Sequence, residues 1–99
     1  MKQTRLTKTQ QEVMNRFDEG QRIAIFQTRR QSGEALFWVR ETSEGWIIVE
    51  KALYPQLRRL FWDGKISTQN TDQVVRGEGL NLNRYANTDD LHREGVIGY

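Results

Sequence analysis

The chain reads as an α+β domain: a helix, a three-stranded antiparallel meander, a second helix, then a polar C-terminal extension with short helices. Three observations predict this. An apolar stripe at helical spacing follows a threonine-rich start. Three short runs rich in β-branched and aromatic residues come next, each bounded by turn chemistry. A proline-led apolar stripe then closes the series. Consecutive strands flanked by helices indicate two packed layers.

The first helix is predicted over residues 7–19. Thr9 and Glu12 have capping-box spacing, in which each side chain satisfies the other residue's free backbone donor. Val13, Met14 and Phe17 share one face, and Gly20 is placed to end the helix in the left-handed region. The strands are predicted over residues 22–28, 35–41 and 46–50. Residues 29–34 form a loose hairpin loop, and residues 42–45 a tighter one with Gly45 available for a positive φ.

Pro55 suits the first turn of the second helix, where its missing N–H removes no bond. Leu57, Leu60 and Phe61 make the apolar stripe, Leu53 and Tyr54 lead into it, and Asp63–Gly64 closes it. Arg58, Arg59 and Trp62 do not all fit inside that stripe, so part of this group must reach the surface. Two further short helices are expected over residues 71–76 and 88–94, separated by a turn region at 77–83.

All four Phe and all three Trp lie between Phe17 and Trp62. This places a compact α+β core in residues 1–65, with residues 66–99 as a polar wrapping segment or partly ordered tail of the same domain. The 99 residues suit one domain. Charged residues make up 28% and cysteine is absent, which excludes a zinc ribbon, a thiol nucleophile and a disulfide scaffold. With no long apolar run and no signal-peptide pattern, a cytoplasmic location and no membrane contact are expected. The net charge of +2 is split unevenly: residues 1–65 carry twelve basic and eight acidic side chains, residues 66–99 three and five.

Period-two alternation sorts the strand residues into two sets. Ile23, Ile25, Phe37, Val39, Ile47 and Val49 form one; Ala24, Phe26, Leu36, Trp38, Trp46 and Ile48 form the other. Neither is polar, so both faces of the sheet need cover, whereas an open antiparallel sheet commonly shows water one side. Phe26, Leu36, Trp38, Trp46 and Ile48 are therefore the candidate protein interface, facing another protein or a second copy of the chain.

Catalytic and cofactor signatures are sparse. Gly77–Glu78–Gly79 is a lone G-x-G with no strong strand before it, and no GK[ST] phosphate loop occurs. Asp89, Asp90, His92 and Glu94 crowd together, but a helix starting at Thr88 accounts for the acidic residues through its dipole. Glu50 and Lys51 are neighbours on a strand and so point to opposite faces, which defeats a carboxylate–lysine nuclease site. The expectation is no enzyme, no cofactor and no metal. A standard winged helix does not fit, since only one helix precedes the strands.

Basic residues interleaved with an aromatic give the alternative. Arg22, Arg29 and Arg30 lie at the first hairpin, and Arg58, Arg59 and Trp62 lie on the second helix. On one surface they would neutralise phosphates while the indole stacks on a base.

Three stretches carry a resemblance: Leu6-Thr7-Lys8-Thr9-Gln10, residues 39–55 (VRETSEGWIIVEKALYP) and residues 77–85 (GEGLNLNRY). Together they resemble a family of small uncharacterised proteins encoded on enterobacterial plasmids and prophages. The chain differs from that pattern by an additional stretch at residues 56–76. The resemblance implies an origin in mobile DNA and a compact α+β fold, and no functional residues. The expected function is that of a small non-catalytic binding protein acting through a protein interface, as a regulator or inhibitor. The alternative is nucleic-acid binding.

Overall fold

The computed structural model of the protein describes residues 6–28 and 33–83. It is an α+β structure: α1 (Lys8–Asp18), β1 (Gln21–Gln27), β2 (Glu34–Thr42), β3 (Gly45–Lys51), α2 (Tyr54–Trp62) and β4 (Val74–Arg76), followed by a 3-10 turn at Gly77–Gly79. The sheet is mixed and four-stranded, in the order β3-β2-β1-β4. β1, β2 and β3 form the antiparallel run, and β4 pairs parallel to β1. Parallel pairing requires a crossover, which α2 provides between β3 and β4.

Local chemistry sets the element ends. Thr7, not Thr9, caps α1: its hydroxyl accepts from the Gln10 N–H at 3.1 Å, and the Gln10 carboxamide accepts from the Thr7 N–H at 3.0 Å. Thr9 already lies inside the first turn, so Thr7 is the extended residue that meets the free donors. Gly20 follows the helix at φ 90°, and Gly45 closes the second hairpin at φ 121°.

The register divides the strand residues differently from simple alternation. Ile23 faces Trp38 and Ile25 faces Leu36 across β1–β2. Ile23 and Ile25 therefore side with Leu36 and Trp38, not with Phe37 and Val39. A one-residue change in register moves a whole strand's side chains to the other face, and the hairpin geometry decides it. In β2–β3 a bulge at Trp38/Val39 pairs Val39 with Ile48 but Trp38 with Glu50. Val49 is left over, and Ile48 and Glu50, which alternation would put together, take opposite faces.

Both faces are apolar and both are packed. Under α1 and α2 lie Ile23, Ile25 and Trp38, closed by Val13, Leu57 and Leu60. On the opposite face Ala24, Phe26, Phe37, Val39 and Ile48 cluster, with Trp46, Val75, Leu80 and Leu82 against them. The core continues past residue 65: Ile66 and Val74 are buried on the helical side. The segment predicted as a helix over residues 71–76 instead supplies β4, because the free edge of β1 offers its ladder bonds to Val74, Val75 and Arg76. The helix predicted over residues 88–94 lies outside the described residues. Among the described residues, no helix is long and apolar enough to cross a membrane.

Candidate binding surface

α2 is built to hide one side and show the other. Its backbone leaves an extended Leu53, takes Pro55 in the first turn and stops at Asp63, after which Gly64 turns the chain at φ 77°. Leu57 and Leu60 are sealed against the sheet. At 100° per residue the opposite side carries Arg58, Arg59 and Trp62, with Tyr54 at its margin. Trp62 is 82% exposed and Tyr54 is 53% exposed.

Tyr54, Arg58 and Trp62 stand at i, i+4 and i+8, so a cation lies midway between two aromatic rings whose Cα atoms are about 12 Å apart along the axis. Arg59 is held by Asp63, Nε to Oδ2 at 3.2 Å, one turn later. Arg58 has no ion pair among the described residues. Over residues 51–65 the sequence carries Lys51, Arg58, Arg59 and Lys65 against a single acid, Asp63. That surplus of three exceeds the net charge of the entire chain, +2. Residues 1–11 hold an equal surplus in Lys2, Arg5 and Lys8, so α2 and its flanks are one of two places where positive charge gathers.

The other residues singled out from the sequence are dispersed. Phe26, Trp46 and Ile48 lie on the face away from the helices, whereas Leu36 and Trp38 lie beneath them. The five do not share a face, because the β1–β2 register puts Phe26 opposite Ala35 and the β2–β3 hairpin register puts Trp46 and Ile48 opposite Glu41 and Val39, away from Leu36 and Trp38. Trp38 is 3% exposed, with the Phe17 ring 5.3 Å away and Arg16 above it. Trp46 and Leu36 are half-buried.

The six candidate nucleic-acid residues separate too. Arg22 is committed to the turn before β4: its guanidinium donates to the Thr71 carbonyl at 3.0 Å and the Gly20 carbonyl at 3.3 Å, and lies 3.7 Å from Asp72. Arg29 and Arg30 fall outside the described residues. Arg58, Arg59 and Trp62 do come together on α2. Tyr54 joins them; its four-residue spacing to Arg58 was the signal that its apolar character concealed.

Beside Tyr54 a shallow cleft of roughly 740 Å³ opens between α2 and the sheet, floored by Ile25, Leu36 and Phe61 and rimmed by Glu34 and Lys51. Among the described residues that line it are one carboxylate and one ammonium group and no histidine or serine. No group of three or more His, Cys, Asp or Glu side chains placed to hold a metal occurs among the described residues. Asp89, Asp90, His92 and Glu94 lie outside them. Among the described residues, the one group with a displaced pKa, Glu78, sits at the 3-10 turn. Its carboxylate accepts the Gln27 N–H at 2.8 Å, which holds its pKa below the ordinary 4.5 and ties the turn to the end of β1.

No family model matches this chain, and no curated protein or solved structure is significantly similar to it.

Proposed function

We propose that the chain is a non-catalytic binding protein whose contact surface is the outer side of α2 and whose partner is a nucleic acid. The observation that carries this is the exposure of Trp62, 82%, on a helix face where Arg58 and Arg59 flank it. An indole in water forgoes about 1.5–3 kcal/mol of burial. The surplus of cations over residues 51–65 favours an anionic partner.

Fluorescence anisotropy with labelled oligonucleotides at about 50 mM salt tests it. Binding that weakens with salt and with Arg58→Ala is expected; a flat titration for every oligonucleotide rules it out.

A second reading keeps the protein interface, on the same helix rather than on the sheet. Leu53 and Tyr54 are both exposed beside the cleft, and Trp, Tyr and Arg are the residue types that dominate protein contacts. A second copy of the chain is then the simplest partner. Light scattering after size-exclusion chromatography decides it: a dimer that Trp62→Ala dissociates favours this reading, and a strict monomer at high concentration removes self-association.

A further inference from the structure

Resting on the nucleic-acid reading of α2, we infer that the ligand is single-stranded, with bases stacked on Trp62 and Tyr54 and a phosphate held between them by Arg58. The two rings are open to solvent, and neither takes part in an aromatic pair among the described residues. A ring with an unoccupied face binds a base by its face. In a duplex those faces are already stacked on one another, and only base edges show in the grooves. An unpaired strand presents both the face and the phosphate.

Side chains on a helix lean toward its N-terminus, which directs the Trp62 side chain toward the turn that carries Arg58 and Arg59. Stacking and phosphate neutralisation therefore fall on adjacent parts of one strand. Arg58 at the centre of the stripe is the group best placed for the phosphate, since Arg59 already has Asp63.

The small number of cations sets the expected salt dependence. One phosphate contact on a single strand gives a log–log slope of about −0.7, or roughly a threefold loss of affinity from 50 to 200 mM salt.

The test uses the full chain with two probes, a short oligothymidylate and a duplex of equal length, followed by anisotropy and tryptophan fluorescence. The expected result is at least about tenfold tighter binding of the single strand, with quenching of the exposed indole. Trp62→Ala should remove the quenching and weaken single-strand binding about fivefold or more, and Trp62→Phe should restore most of the affinity, with circular dichroism unchanged in both. Equal or tighter duplex binding without quenching overturns the single-strand inference and leaves the nucleic-acid reading standing. Failure to bind either probe overturns both. Displacement of the strand by polyglutamate at equal charge concentration shows a general polyanion surface, for which an acidic protein serves as well, and also overturns the inference.

Discussion

The guanidinium of Arg16 lies over the Trp38 ring, its central carbon 5.0 Å from the ring centroid. The same group donates to the Gln21 carboxamide at 2.9 Å and pairs with Glu50 on β3. One side chain of α1 thus touches the helix exit, the middle of β2 and the edge strand. The bulge in β3 makes this possible by bringing Glu50 to the side of the sheet that Trp38 occupies.

Arg16→Ala should therefore lower stability by about 1–2 kcal/mol, combining the lost cation–π contact with a partly exposed ion pair. Glu50→Gln removes only the charge and should cost about 0.5 kcal/mol or less. Urea denaturation of the two variants checks the order. Equal losses would mean that the ion pair, not the ring contact, is the stabilising part.

Gly77 is buried against Phe26, and a β-carbon there would run into the Phe26 ring. Phe26 sits edge-on to Phe37 at 5.8 Å in the cluster on the face away from the helices, so it has little room to yield. Gly77→Ala should destabilise by about 1–3 kcal/mol through this crowding. Gly79, two residues on, has nothing within 4 Å of the same added atom, and its alanine variant should melt within a few degrees of the parent. The difference in melting temperature between the two variants is the measurement.

Glu78 gives the acid side of the stability profile a definite sign. Its folded-state pKa lies below the ordinary 4.5 because the Gln27 N–H binds the ionised carboxylate. The folded state therefore takes up a proton less readily than the unfolded one. The stabilisation is present above the unfolded-state value and is lost as the pH falls through the lower folded-state value. Glu78→Gln should flatten this limb below pH 4.5, as followed by urea midpoints across an acid pH series.

The tryptophans should separate stability from binding. Trp62→Ala should leave the folding free energy within about 0.5 kcal/mol, as for an exposed position with no packed neighbours. Trp38→Ala, from beneath α1, should cost about 3–5 kcal/mol. A large loss for Trp62→Ala would mean that the indole packs in the folded chain and is not a contact residue.

Much of the local structure was legible from the residues alone. Gly20, Gly45 and Pro55 act within a few residues of themselves, and they locate the end of α1, the second hairpin and the start of α2. The cap of α1 is Thr7, two residues before the Thr9 that the capping-box spacing picks out. Val-Val-Arg at residues 74–76 was not legible, since three residues carry no period and become a strand only because β1 has an edge to offer. The candidate site was legible in part. Arg58, Arg59 and Trp62 overfill an apolar stripe in the sequence itself, whereas the partners that commit Arg22, Asp72 and the Thr71 carbonyl, lie about fifty residues away in the chain.

Periodicity and turn chemistry therefore determined the elements, their order up to α2 and the apolar character of both sides of the sheet. Tertiary structure alone decided which side each strand residue takes, through a hairpin register and one extra residue at Val49. It alone decided that Trp38 is covered and Trp62 is not. The physical reason is range. Caps and alternation act through neighbours in the chain, whereas register and helix docking settle on whichever arrangement buries the most apolar surface across distant segments.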